Sequence, residues 1–298
     1  MKKFFLFLTL IIFFIISIFL VYISTNGHET NKFNKFIIKE FENIDPNVKL
    51  EINKIKIKLD IKKLNLFLST NNLKINIQDV KIPVSKLKIY VKFLPLIKSE
   101  LMLKKLTAEI NEISITNIQK IAVRIKPSNF KTFLLNNIYK GSLKAKMEFE
   151  YDSDFRLINY NIVGLIKNTN VNYNKKFELN DVNFNFVTNK QKTTIENISI
   201  NYKSIPFTKG IVSIENNDDL IINGSIIANV KVNNEQLKKI FPSFIENNLF
   251  DNNFSLLSDF NNKFYIRFNK TLKLLDYNYE LNAKINNKKI DLKKNIKN

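Results

Sequence analysis

The sequence predicts a mainly β protein carried on an N-terminal transmembrane helix, its strands antiparallel and its helices few and short. Three observations carry this prediction. Apolar and polar residues alternate along almost the whole chain, as in Leu50–Leu68, LEINKIKIKLDIKKLNLFL. Such alternation gives a strand one apolar and one polar face. The connectors are short and rich in Asn, Asp and Lys, as in Asn216-Asn217-Asp218-Asp219, which suits tight turns and excludes the long crossovers that parallel pairing needs. Finally, residues 4–23 read FFLFLTLIIFFIISIFLVYI.

That first run is interrupted only by Thr9 and Ser17, whose hydroxyls can bond back to the helix backbone. About 20 apolar residues at 1.5 Å each cross a hydrocarbon core of roughly 30 Å. A cleaved signal has a shorter apolar region followed by an A-x-A-like site. Here STNGHETNK follows, without alanine, so an uncleaved anchor is expected. Lys2 and Lys3 precede the run and no lysine follows until Lys32, which places the N-terminus inside and the bulk of the chain on the outer side.

After the anchor, Thr30 is positioned to cap a helix running to Ile44, with Phe33, Phe36, Ile37, Phe41 and Ile44 on one side, ended by Asp45-Pro46. Strand patterns follow at Leu73–Ile77, Val80–Val84, Leu87–Phe93, Leu101–Leu103 and Ile110–Ile115. Pro83 marks its strand as an edge or as lying near a bulge. Ser128–Ile138 reads as a short helix. Cleaner alternation returns at Leu143–Tyr151, Ile158–Ile166, Val182–Phe186, Ile198–Tyr202, Val212–Ile214 and Ile222–Val232. A helical insert is expected over 234–247, then strands at Phe264–Phe268 and Tyr277–Ile285. Roughly a dozen apolar strand faces have at most three short helices to cover them. Either two sheets bury these faces against each other, or one long curved sheet keeps an apolar groove.

Composition narrows the chemistry. The chain has 298 residues, 47 Lys+Arg against 27 Asp+Glu, and a formal net charge of +20. That charge favours anionic partners, a phospholipid surface or nucleic acid. Abundant Ile, Asn, Lys and Phe resemble the usage of an AT-rich genome, so part of the lysine is compositional. The lysines are scattered singly, with no dense basic run interleaved with aromatics, so no nucleic-acid partner is expected. There is no cysteine and one histidine, His28, in the polar segment just past the apolar run. Disulfides, thiolate nucleophiles and Cys-based metal sites are excluded, and no cofactor or metal is expected. No phosphate-cradling glycine motif occurs. Asp218 and Asp219 are a carboxylate pair of the kind a glycosidase uses, but they sit in a turn-like segment and read as solvated. An enzyme is not expected.

The N-terminal half adds a pattern: FNKFIIKEFENI, then VKLEINKIKIKLDIKKLNLFL, then NLKINIQDVKIP, then KLKIYVKFLPLIKSELMLKKLTAEINEISI. This resembles the start of the AsmA-like family of bacterial envelope proteins. Ile75–Ile82 matches that family's "apolar-x-apolar-x-D-V-x-apolar" strand and Phe93–Ile97 its short leucine-rich turn. TIENISINYKSIPFTKGIVSIENNDDLIINGSI is similar to its repeating strands, though Asn and Lys stand where its turns carry glycine. The resemblance implies three segments: an anchor and linker over 1–29, an AsmA-like unit over 30–125, and repeating strands over 126–298. It implies an elongated, curved antiparallel sheet with an apolar inner groove, in a periplasmic protein held in the inner membrane. Such a protein would bind phospholipid acyl chains and contribute to phospholipid transport between inner and outer membrane, with other envelope proteins as partners. The groove wall would comprise Ile55, Ile57, Leu59, Ile61, Ile75, Ile77, Phe149, Ile162, Phe184, Ile200, Ile226 and Val230. A dozen strands at about 4.8 Å give roughly 60 Å, too short to bridge two membranes unaided. The alternatives are a non-catalytic envelope assembly factor built as a dry β-sandwich, and a carbohydrate-binding or lytic enzyme.

Overall fold

The computed structural model describes residues 2–285 apart from 33, 45, 62–64, 92–101, 125, 174–176, 204, 217, 234, 236–254 and 272. The described strands number fourteen and belong to one antiparallel sheet that does not close. Its order follows the chain almost without exception, so nearly every strand pairs with the next one made. No second sheet occurs among the described residues, which removes the β-sandwich alternative. The chain divides into two compact units, Met1–Ile113 with Ala145–Asn161, and Ser114–Lys144 with Ile162–Asn298.

In the first unit, helix α1 (Lys2–Thr25) is apolar all round. From Phe7 to Thr25 it is long and apolar enough to cross a membrane, and that window is not buried in the protein. Ser17 Oγ donates to Phe13 O at 2.9 Å, the back-bonding its position predicts. The helix ends where the amides of Asn26 and Gly27 both reach Tyr22 O, with Gly27 at φ +73°, the left-handed terminus that glycine tolerates. Strand β1 (His28–Thr30) follows at once and pairs with β3 (Ile55–Asp60). Thr30 is therefore a strand residue, and its Oγ1 accepts from Lys32 N. Helix α2 starts three residues later than its apparent cap predicts, at Asn34, and runs to Ile44. Asn34 Nδ2 ties it to Ile52 O and Asn53 O, at 2.9 and 3.1 Å.

The Leu50–Leu68 alternation is three strands, not one. Strand β2 (Val48–Glu51) and β3 both pair with β4 (Asn65–Ile77), β3 along residues 65–69 and β2 along residues 74–77. The Ile75–Ile82 segment is likewise not a single strand. Gln78 takes φ +52° and turns the chain between Ile77 and Val80, which pair across a hairpin into β5 (Val80–Val91). Apolar positions change parity in both strands, from Thr70 to Leu73 and from Leu87 to Val84. The break falls at Asn72 and Ser85, the one step missing from their ladder. A register shift marks the same place against β6 (Leu103–Ser114), where Ser85 Oγ donates to Glu109 O. The irregularity keeps Leu73, Val84 and Leu87 in one cluster. Pro83 lies just beyond the end of the β5–β6 ladder, so an interior strand tolerates it beside the bulge.

Helix α2 seals this cluster. Ile37 packs with Leu50, Ile55, Leu73, Val84, Leu87 and Ala108, all of them buried, Ile55 to 2% exposure.

The second unit opens with α3 (Ile115–Ala122), which the alternation Ile110–Ile113–Ile115 misreads as strand. Ser114 accepts from Asn117 N and caps the helix, and Ile115, Ile118 and Ala122 recur at helical spacing. Helix α4 (Asn129–Asn137) is the short helix expected over Ser128–Ile138, and Ser128 caps it. The two pack through Ile115, Ala122 and Leu134, against Ile138 and Ile166. Strands β7 (Ile138–Tyr151) and β8 (Leu157–Tyr173) contribute residues to both units. β9 (Phe177–Asn189), β10 (Lys192–Tyr202), β11 (Ile205–Asn216), β12 (Leu220–Asn233), β13 (Ser255–Phe268) and β14 (Leu274–Ile285) complete the meander. Apart from Glu235, the helical insert expected over 234–247 lies outside the described residues, as does the turn at Phe93–Ile97.

Candidate functional site

Four neighbouring strands of the second unit share one device. Asn168, Asp181, Asn197 and Lys209 all have positive φ, between 50° and 59°. Each sits where the apolar pattern changes parity: Ile166 to Thr169, Leu179 to Val182, Ile195 to Ile198, Phe207 to Gly210. The β9–β10, β10–β11 and β11–β12 ladders shift register at these points. One extra residue in the left-handed region absorbs the phase slip and returns the apolar residues to the same face. Asn and Asp tolerate that conformation better than most residues, and their side chains tie the bulges together. Asn183 Oδ1 accepts from Asn168 N at 2.9 Å, and Asn183 Nδ2 donates to Asp181 O at 2.6 Å.

The result is a continuous apolar face across β9–β14. Cross-strand rows run Phe186–Ile195–Val212–Gly224–Phe264–Tyr279 and Ile200–Phe207–Ala228–Phe260. The ring of Phe186 lies over Gly164 and that of Phe264 over Gly224, so a Cβ at either glycine would enter the ring's space. Phe184 and Phe186 stand together, centroids 6.3 Å apart. Most of this face is half-buried, and at its edge Tyr277, Tyr279 and Leu281 are 69, 59 and 50% exposed. Helices α3 and α4 pack against Ile138 and Ile166.

The twelve groove positions fall into two groups. Ile162, Phe184, Ile200 and Ile226 lie on the apolar face of the second unit, and Val230 occupies the Ser258 position of the same ladder. Ile226 packs beside Ile198 around Gly210. Of the others, Ile55 and Ile75 belong to the cluster beneath α2, and Ile57 and Leu59 pair with Leu68 and Leu66. Ile77 pairs with Val48 and Val80, and half-buried Phe149 is two residues from Met147 at the cluster's margin. Ile61 leaves the strand and is 47% exposed in the turn. The bulges leave parity breaks at Asn, Asp or Lys in the sequence, a mark that a turn or a helix start leaves as well.

The polar groups singled out from sequence lie elsewhere. His28 is in β1 opposite Ile57. Asp219 is not a free carboxylate: Arg267 Nε donates to it at 2.7 Å, which raises the guanidinium's pKa, while Asp218 remains exposed. An open depression on the reverse face, lined by Lys192, Thr194, Ser213, Asn223 and Lys263, has its lysines paired with Glu215 and Glu280. Among the described residues no three His, Cys, Asp or Glu side chains gather as metal ligands would. No family model matches the chain, and neither a curated protein nor a solved structure proved similar to it.

Proposed function

We propose that the apolar face of β9–β14 holds phospholipid acyl chains, in a membrane-anchored protein of the bacterial periplasm that contributes to phospholipid transport between inner and outer membrane. The observation that carries this reading is a broad apolar face that left-handed bulges in β9, β10 and β11 keep in phase, although no second sheet occurs among the described residues to receive it. Six strands at about 4.8 Å make it roughly 24 Å wide. Each methylene it shields from water contributes about 0.8 kcal/mol, so a single acyl chain is held by many small increments. Helix α1 supplies the attachment to the bilayer where such a ligand resides. The resemblance of residues 1–120 to AsmA-like proteins points the same way. Within the first unit α2 covers the cluster around Ile55, Leu73 and Leu87, so the lipid-holding role is assigned here to the second.

Carboxylate substitutions test the reading. Ile200→Asp and Ile226→Asp place a charge on a half-exposed face where it stays hydrated; melting temperatures should stay within a few degrees of the parent. Labelling by a photoactivatable phospholipid should fall about tenfold, since a carboxylate beside an acyl chain costs a few kcal/mol. Ile55→Asp buries the same charge beneath α2 and should unfold the first unit. Folded Ile200→Asp and Ile226→Asp proteins that still label like the parent would falsify the proposal.

A further inference from the structure

The reverse side of the first unit assembles a charge pattern that the linear sequence disperses. Strand register aligns Lys58, Phe67, Tyr90 and Lys105 in one cross-strand row. Lys56, Ser69, Lys88 and Thr107 form the next, and Asn71, Lys86 and Glu109 a third. All three lie opposite the face that carries Leu68, Leu87 and Ala108. Lys146, between the core residues Ala145 and Met147, belongs to the same side, as does Glu148.

Two of these lysines are neutralised in place. Lys56 pairs with Glu29 at 2.9 Å and Lys105 with Glu148 at 2.7 Å. Lys86, Lys88 and Lys146 have no carboxylate within 4.0 Å among the described residues. The Lys88 ammonium lies 5.2 Å from the centre of the Phe67 ring, which is itself 5.1 Å from Tyr90. Burial first, then Lys86, Lys146 and Lys58, hold the Lys88 pKa below the ordinary lysine range, with Glu109 acting against them. The fold thus keeps a partly desolvated cation among like charges, where a neutral residue would cost it less.

We propose that this lysine and aromatic face is the surface the protein lays against the anionic phospholipid headgroups of the membrane that α1 enters. Position argues for it. Lys58 Nζ donates to Thr25 O, the final residue of α1, at 3.0 Å. Only Asn26 and Gly27 separate that helix from β1, and a Cβ at Gly27 would meet Lys58 Cγ at 2.7 Å and Ile57 O at 2.9 Å. The helix end is therefore fastened to β3 without slack. Lys88 stands two strands farther on, roughly 10 Å at ordinary strand spacing. Charge argues for it too, because lysines close to an anionic leaflet are attracted and their mutual repulsion is relieved by phosphate. Tyr90, with an apolar ring and a polar hydroxyl, is a side chain suited to the polar–apolar boundary. The inference rests on α1 as a membrane span and is independent of acyl-chain binding by the second unit.

The test is amine-reactive footprinting, read by mass spectrometry, of the full chain in nanodiscs of phosphatidylcholine alone or with phosphatidylglycerol. Labelling of Lys86, Lys88 and Lys146 should fall by roughly threefold or more with phosphatidylglycerol and recover in about 1 M salt, where charges are screened within about 3 Å. Lys209, in the second unit, should label alike in both. In Lys86→Gln/Lys146→Gln, Lys88 should lose most of its protection while the melting temperature holds. Equal labelling in the two lipids overturns the proposal, as does a chain that fails to enter the discs. Undiminished protection of Lys88 in the double variant shows burial rather than charge at work and also overturns it. Protection by added single-stranded nucleic acid, without any by phosphatidylglycerol, assigns the face to a different partner.

Discussion

Lys88 puts function and stability in opposition at a single residue. Its pKa is lowered in the folded state, chiefly by burial, so between the folded and unfolded values the unfolded chain binds more protons. Stability therefore rises with pH across that window, and the whole of the cost is present below it, at neutral pH. Lys88→Met keeps a side chain of similar length beside Phe67 and removes the charge. It should raise the melting temperature slightly at pH 7, with the gain fading as the pH climbs toward that of a free lysine. Thermal melts of the two proteins over pH 7–11 check this; a gain that grows with pH contradicts the sign. Glu29 runs the other way. Lys56 first, then Lys54, hold its carboxyl below the usual range, so its link between β1 and β3 is present above that range and lost as pH falls through the lowered value.

At the level of elements, alternation revealed which segments are strands and concealed how they join. Within Val182–Phe186 or Ile222–Ala228 every second residue faces one way, and the reading and the fold agree. The pattern is silent on the slips between such runs, because a change of parity can mean a turn, a bulge or a helix. Gln78 resolves one as a hairpin, Asn197 another as a bulge, and Ser114 a third as a helix cap. In each case the deciding interaction is a backbone conformation or a side chain bonding to its own backbone, which apolar periodicity does not register. Lys209 offers a test of the bulge. A lysine in the left-handed region costs about 1–2 kcal/mol, which glycine avoids at an entropic cost of about 0.5–1 kcal/mol. Lys209→Gly should leave stability unchanged or raise it by up to about 1 kcal/mol, whereas Lys209→Val should lower it by about 2 kcal/mol. Urea unfolding with an unchanged m-value decides it. A valine tolerated without loss means the bulge is not held in the conformation described.

For the molecule as a whole, the choice between sandwich and single sheet was beyond periodicity, since both arrangements need the same alternating strands. Long-range order decided it: a chain-order meander leaves each apolar face to be covered by helices, by ligand or by nothing. The two units differ in that respect. The first has α2 over a cluster with Ile55, Leu73, Val84 and Leu87 each at or below 5% exposure. Across β9–β14 the apolar residues are mostly half-exposed, and the edge strand β14 is exposed on both faces from Leu274 to Asn282. Backbone amides beneath a dry core open only with the whole unit, whereas those of thinly covered strands open locally at lower cost. Hydrogen exchange of delipidated protein should therefore be slowest in β4 and β5 and fastest, among the strands, in β14. Adding phospholipid covers the face of the second unit alone. Amides of β9–β13 should then slow by an order of magnitude or so, the effect of about 1.4 kcal/mol of added local stability, while β4 and β5 stay as they were. Slowing confined to β4 and β5 would place the ligand under α2 instead, and no slowing anywhere would leave the apolar face of β9–β13 without an occupant.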